Sequence, residues 1–406
     1  MAKHERWQLQ SMQAADLNTK ILLTKTRIRE WIKAFGEDGV YVSFSGGKDS
    51  TVLLDIVRQD YPDVPALFVD VPTQYPELKQ FATSFKNVDV AKPQITFMQV
   101  CEKYGFPLIS KEVSGTVEEA KKYLTEVANS ITTLTDRQTD RQTDRQTVKR
   151  YWAAADILGI DRRQGAKESQ EYQDLKKGII PSRFKYGKPI RFLQLEGKLP
   201  ERKNGVLTGQ YSKRYDKSRY AYLLDAPFDV SQMCCKVMKK DPAHKYGRTT
   251  KRKPITAQMA AESDLRTQKW LQNGCNAFDS KNPISNPMSF WTEQDVLLYI
   301  KRYNIPICSV YGDVIIDHEA EGDLEGQMTM FLKDDERIYK TTGCKRTGCM
   351  LCGFGCHLEK SPNRFEMLKE THPGMYNLLD VVKNNGVTMR EAIEWINEHG
   401  NLNIKL

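Results

Sequence analysis

The sequence predicts an α/β fold: a parallel sheet with helices on both faces, a basic insertion, and a cysteine-rich C-terminal part. Three observations carry this expectation. Residues 40–57, VYVSFSGGKDSTVLLDIV, run from a short apolar alternation through a Gly-Gly turn into a helical apolar pattern. The pattern repeats at ALFVD (66–70) and PELKQFATSFK (76–86), and strand–helix–strand–helix at this spacing argues for parallel strands joined by crossover helices. Six of the nine cysteines then fall into two groups, Cys234–Cys235 and the run Cys344, Cys349, Cys352 and Cys356.

Before the first strand, LNTKILLTKTRIREWIKAFG has apolar residues spaced by three and four and ends on Gly36, the pattern of an amphipathic helix with a glycine cap. ITFMQV (95–100) and PLIS (107–110) read as further short strands or strand–helix pieces. From about 115 to 220 the chain turns polar and basic, and its pattern breaks. Here TDRQ occurs three times over, at 135–146. Codons ACA GAC AGA CAG spell Thr-Asp-Arg-Gln as a repeated ACAG tetranucleotide, a tract prone to slippage. The repeat is expected in an exposed helix or loop that tolerates insertion. Patterning returns near Tyr220. ITAQMAAESDLRTQKWLQNGC reads as a strand fragment and a helix. FWTEQDVLLYIKRYNI reads as a helix capped by Thr292, with Trp291, Val296, Leu297, Ile300 and Tyr303 largely on one face. TMREAIEWINEHG supplies the last helix. The expected division is an N-terminal helix (1–36), an α/β domain that carries the Gly-Gly turn (37–114 and 220–312), the basic insertion (115–219), and a cysteine-rich segment with C-terminal helices (313–406).

Charge and cysteine usage narrow the function classes. The formal charge is +9, and residues 145–219 alone carry nineteen Lys and Arg against eight Asp and Glu, or +11. A surplus so confined points to a polyanion, a nucleic acid, as partner of residues 145–219. No apolar run is long enough to span a membrane, and the start is too polar for a signal peptide, so a cytoplasmic protein is expected. Clustered cysteines in such a compartment serve metal binding or catalysis rather than a disulfide framework. Cys344, Cys349, Cys352 and Cys356 by themselves have the spacing of a four-thiolate zinc site. Cys101, Cys275 and Cys308 read as buried thiols.

The glycine turn is the strongest local signal. A helix N-terminus offers unpaired N–H groups and the positive end of a dipole. Gly46 and Gly47 let the backbone close on a phosphate, Lys48 adds a charge, and Ser45 and Ser50 add hydroxyls. The spacing is neither that of a Walker loop nor of a G-x-G-x-x-G turn.

SGGKDS between a strand and a helix resembles the PP-loop of the ATP pyrophosphatase and adenine nucleotide alpha hydrolase superfamily. FVDVPTQYPE (68–77) is similar to that superfamily's second strand, with Asp70 near the nucleotide. Within the superfamily, MCCKVMKK carries a Cys-Cys pair, and MAAESDLR matches an arginine-bearing segment at Glu262, Ser263 and Arg266. NPMSFWTEQDVLLYIKRYNIPICSVYG (286–312) matches a Trp–Asp-Val–Tyr-Ile–Ile-Pro segment, and GCMLCG supplies a C-x-x-C. Together these stretches resemble the phosphoadenosine phosphosulfate (PAPS) reductase family, as a divergent member like the DNA phosphorothioation or phage and mobile-element relatives.

The resemblance implies an enzyme that binds an adenine nucleotide (ATP, APS or PAPS) and acts at its α-phosphate or sulfonucleotide, in sulfur transfer or nucleic-acid modification. It implies catalytic roles for Lys48, Asp49 and Arg266, and nucleotide binding by Ser45, Gly46, Gly47, Lys48, Asp49, Ser50, Asp70, Glu262 and Ser263. Mg²⁺ would accompany the nucleotide. It implies a 4Fe–4S cluster on Cys234, Cys235, Cys349 and Cys352, with Cys356 as replacement ligand and zinc as the alternative metal. Lys236, Lys239, Lys240, Lys345 and Arg346 would offset cluster charge or meet substrate phosphates. A thioredoxin-like reductant or a sulfur donor is the implied protein partner. One departure is plain. True reductases carry a C-terminal Glu-Cys-Gly-Leu-His motif, whereas this chain ends EHGNLNIKL. That leaves open an assimilatory reductase with a relocated cysteine, Cys356 or Cys344, and a non-catalytic, nucleotide-gated regulator that binds nucleic acid.

Overall fold

The computed structural model describes residues 3–136, 190–203, 206–321 and 333–406. The chain forms two compact units. The first joins residues 1–97 to 235–350, and the second joins 98–234 to 351–406.

The first unit is built on a six-stranded sheet. Its strands are β1 (Val40–Ser43), β2 (Ala66–Val69), β3 (Val88–Ala91), β4 (Lys253–Ile255), β5 (Asn276–Ala277) and β6 (Ile284–Ser285), in the order β3-β2-β1-β4-β6-β5. All neighbours are parallel except β5–β6. Val42 pairs with Ala66 on one side and with Ile255 on the other. The chain therefore winds outward from β1 to β3, then returns to the opposite side of β1 at β4. That reversal is a topological switch point, and ligands of open α/β sheets bind outside the carboxyl ends of the strands there.

Helices cover both faces, as a parallel sheet requires. After the short helix α1 (Arg6–Gln13), Trp31 and Ile32 of α2 (Leu17–Phe35) join Val40 and Val42 in one core, with Val52, Leu53, Ile56 and Val57 of α3 (Lys48–Asp60). Val296, Leu297 and Ile300 of the helix Glu293–Tyr303 complete it. Tyr41, between the two valines, faces the other way and meets Tyr246 of the helix Asp241–Thr250 edge-on at 5.0 Å. Thr292 caps the Glu293–Tyr303 helix as expected, accepting from the Asp295 N–H in a capping box. Trp291 is fully buried and its indole N–H donates to Thr24 Oγ1 at 2.8 Å.

The second unit contains the long helix Lys111–Asp136, the helices Ile190–Leu195, Arg364–Thr371 and Met389–Gly400, and a hairpin of Pro200–Lys203 with Val206–Tyr211. Its interior is apolar, with Val113, Val117, Ala120, Phe228, Phe365 and Ile393 buried. Three stretches left open in the sequence take form here. Ile95–Val100 is no strand, because Phe97–Tyr104 is helical; only Leu108–Ile109 of PLIS is a strand, parallel to Gly353–Phe354. The stretch after 115, without a legible pattern in sequence, opens in a continuous helix whose Val113, Val117, Ala120 and Tyr123 recur at helical spacing. The TDRQ copies beyond Asp136 lie outside the described residues.

Candidate active site

The phosphate loop leaves the carboxyl end of β1 at the switch point. Gly46 has φ +72°, a left-handed conformation that costs glycine least, and a Cβ there would stand 3.1 Å from the Leu78 carbonyl oxygen. Gly47 is the N-cap of α3 and gives the helix no side-chain cap. Its hydroxyl-rich neighbours brace the loop instead. The Ser45 N–H donates to Ser50 Oγ at 3.1 Å, the two serine hydroxyls lie 3.0 Å apart, and Ser50 Oγ donates to the Gly47 carbonyl at 2.9 Å. Thr51 Oγ1 donates to the same carbonyl at 3.1 Å. These bonds fix the loop's shape while α3 keeps the dipole of an N-terminus without a side-chain cap.

Lys48 is 3% exposed, an unusual burial for a lysine. Its ammonium donates to the Lys345 carbonyl at 2.9 Å and stands 3.1 Å from Glu293 Oε1 and 3.8 Å from Asp49 Oδ1. The Lys48 N–H donates to the Tyr311 hydroxyl at 3.3 Å, and that hydroxyl is 2.8 Å from Thr347 Oγ1. Burial pushes the Tyr311 phenol up to about 12. The Lys345 carbonyl and the Tyr311 hydroxyl thus occupy the side-chain and backbone donors of Lys48.

Asp49 is pushed up from its ordinary value, chiefly by burial; Lys48 opposes the shift and Glu293 adds to it. Arg346 and Arg266 also act on it, which brings those two arginines into the field of the loop. Glu262 joins them: it is ion-paired with Arg266, and Arg346 Nη2 lies 3.5 Å away. Arg266 is held below its ordinary value, first by burial and then by Arg346. The result is a mixed site of two arginines, a buried lysine and three carboxylates around a helix N-terminus.

The structure therefore gathers Ser45, Gly46, Gly47, Lys48, Asp49 and Ser50 with Arg266 and Glu262. Ser263 has a different duty, capping the helix Asp264–Asn273 by accepting from the Arg266 N–H at 3.4 Å. Asp70 follows the last residue of β2; its carboxylate is 2.8 Å from Lys79, and no described contact joins it to the loop. Glu293, Tyr311 and Thr347 were not legible as site residues. Tyr311 lies in the SVYG end of a motif read for its helix, and Thr347 between two cysteines read as ligands.

No disulfide joins any of the nine cysteines. Cys235 and Cys349 belong to the first unit, Cys234 and Cys352 to the second. In the first unit Cys349 pairs with Gln74 as an antiparallel bridge, and the Cys344 thiol lies 3.7 Å from the Tyr75 hydroxyl. In the second, Cys352 acts electrostatically on both Cys101 and Cys356, whose thiols burial pushes up. Arg364 offsets part of that rise at Cys356 and donates to the Cys352 carbonyl at 2.7 Å. Soft thiols suit a cluster or zinc, yet among the described residues no three His, Cys, Asp or Glu side chains are grouped to hold a metal ion. Cys275 and Cys308, like Cys101, are buried thiols as expected.

A profile of the phosphoadenosine phosphosulfate reductase domain matches residues 39–161 and 194–353. The chain belongs to that family. The match takes in the loop, Glu262, Arg266, Tyr311 and Thr347. Members are PP-loop proteins that bind an adenine nucleotide, and the mainly parallel sheet agrees with their Rossmann-like fold. No curated protein matches the chain. Among the described residues, no helix is long and apolar enough to cross a membrane.

Proposed function

We propose that this family member is a PP-loop enzyme that binds an adenine nucleotide (ATP, APS or PAPS) at residues 45–50 and acts at the α-phosphate. The observation that carries the proposal is the N-terminus of α3, which lacks a side-chain cap. It follows Gly46 and Gly47 at the switch point and carries a buried Lys48. With ATP, an acceptor oxygen attacks the α-phosphorus, the bond to the bridging oxygen breaks, and pyrophosphate leaves with the electron pair. Lys48 and the α3 amides stabilise the charge on that leaving group. Arg266 and Arg346 neutralise phosphate or sulfate oxygens, and Glu262 orients both guanidinium groups. Asp49, whose carboxyl burial pushes up from its ordinary value, stands beside the loop and is placed to receive a proton or a Mg²⁺ that accompanies the nucleotide.

The acceptor side of the proposal is a nucleic acid, drawn by the basic residues 145–219, with sulfur transfer completing a modification. A thioredoxin-like reductant or a sulfur donor would then be the partner, in the cytoplasm. A cluster on Cys234, Cys235, Cys349 and Cys352 would supply electrons or sulfur. Iron and acid-labile sulfide in protein purified without air test that group; zinc alone would favour the Cys344–Cys356 run. The assimilatory reductase with a relocated cysteine is the second reading.

Anaerobic incubation with ATP, APS and PAPS, with thioredoxin and with or without bulk nucleic acid, separates the readings. AMP with pyrophosphate from ATP supports the first. Sulfite with AMP or with adenosine 3′,5′-bisphosphate supports the reductase. ADP with phosphate refutes α-phosphate chemistry.

A further inference from the structure

We propose that the second unit carries a platform for single-stranded nucleic acid, built on the hairpin Pro200–Lys203/Val206–Tyr211 and the turn that follows it. The choice of partner class rests on the polyanion reading above; the site itself rests on separate observations. Tyr211 and Tyr215 leave 60% and 43% of their surface exposed, an unusual outlay for two rings four residues apart. The turn that bears them is anchored from below. The Ser212 N–H donates to the Leu199 carbonyl at 2.8 Å, and the Lys217 N–H to the Gln194 carbonyl at 2.9 Å. The Lys217 ammonium is buried against Glu112 at 2.9 Å and Gln194 Oε1 at 3.3 Å. The rings are therefore presented by a fixed turn.

Charge in residues 196–219 is lopsided, with seven Lys and Arg against three Asp and Glu. Lys217 and Arg191 are paired with carboxylates, but Lys198, Lys203, Lys213, Arg214 and Arg219 make no ion pair with a described residue. Nearby acids are engaged locally: Glu201 accepts from Thr208 at 3.1 Å and Asp216 from the Ser218 N–H at 2.8 Å. Arg214 lies over the Tyr215 ring at 5.6 Å and Arg219 over Tyr220 at 4.6 Å. An open groove runs beside Tyr211, lined by Gly197, Gln210, Ser212, Lys213 and Asp216.

Cations without carboxylate partners meet a phosphate backbone, and exposed tyrosine rings stack on bases. A duplex keeps its bases stacked inside, so it uses the cations and wastes the rings. A single strand uses both. The platform thus fits single-stranded DNA or RNA, and the shared chemistry is backbone anion plus unstacked base.

The test is fluorescence anisotropy on the full chain with a labelled 20-residue oligothymidylate, the matching oligouridylate, and a 20-bp duplex, from 50 to 200 mM salt. Wild type should bind the single strands at least tenfold tighter than the duplex. Tyr211→Ala and Tyr215→Ala should each weaken single-strand binding about tenfold, with nucleotide affinity unchanged. Lys213→Ala/Arg214→Ala should lower the salt slope by about 1.4, two phosphate contacts at about 0.7 each. Lys48→Ala should leave oligonucleotide affinity intact, which separates this surface from the phosphate loop. Equal binding of duplex and single strand with silent tyrosine variants would reduce the face to a basic surface and overturn the platform. Absence of binding overturns it outright. Loss in Lys48→Ala alone would move the nucleic acid to the phosphate loop, and likewise overturn it. The oligothymidylate and oligouridylate arms tell DNA from RNA.

Discussion

Replacing Tyr311 with phenylalanine should move stability and nucleotide affinity in opposite directions. The Tyr311 hydroxyl is buried, accepts from the Lys48 N–H at 3.3 Å and lies 2.8 Å from Thr347 Oγ1. Its removal leaves one buried N–H and one hydroxyl short of a partner. A net hydrogen bond is worth about 1 kcal/mol, so the unliganded protein should lose about 1–2 kcal/mol. The nucleotide-bound protein loses less, because a phosphate oxygen then takes the Lys48 N–H that Tyr311 had occupied. Removing that competitor is worth about 1 kcal/mol, so the affinity for pyrophosphate or ATP should rise about fivefold. Urea unfolding gives the first quantity and isothermal titration the second. A variant that binds nucleotide several-fold more weakly would refute the reasoning, since Tyr311 would then be a ligand of the phosphate rather than its stand-in.

Further expectations follow from the same geometry. Lys20 is buried with its ammonium 2.7 Å from Asp295, so Lys20→Met strands a carboxylate and should cost about 3 kcal/mol in urea unfolding. Thr292→Ala removes the cap of the Glu293–Tyr303 helix and should cost about 1 kcal/mol by the same assay. Asp49→Asn removes a charge beside the phosphate, so pyrophosphate should bind about tenfold tighter without Mg²⁺ while turnover falls; unchanged affinity would take Asp49 out of the site. Acid should destabilise the second unit. Burial raises the Glu359 carboxyl, but hydrogen bonds and charge from Arg364 outweigh it and hold the group below its ordinary value, as Arg390 holds Asp380. A depressed folded pKa gives stability that is present above the ordinary carboxylate range, about pH 4, and lost as pH falls through the folded value. The urea midpoint should therefore drop below about pH 4, and drop less in Glu359→Gln.

The elements that position the loop were legible because each has a local cause. VYVS alternates, Gly46 needs positive φ, and Thr292 stands three residues before Asp295. The parallel sheet followed from their repetition. The β1–β4 pairing, which sets Val42 beside Ile255, did not, because periodicity carries no register between strands so distant in the chain. Phe97–Tyr104 was obscured because a short apolar run fits helix and strand alike. Within the site, the loop residues could be read from glycine and lysine chemistry, and Glu262 and Arg266 from the family resemblance. Tyr311, Thr347 and Glu293 could not, since their meeting with Lys48 is a long-range contact that no local spacing encodes. Ser263 illustrates the converse: a serine that begins a helix is explained by capping alone.

The most direct test of the account is isothermal titration of ATP, APS and PAPS into the wild type and into Lys48→Ala. At least one of the three should bind the wild type, and Lys48→Ala should weaken it by tenfold or more. Equal affinity in the two proteins would contradict it, because the buried lysine at the N-terminus of α3 would then have no part in holding the nucleotide.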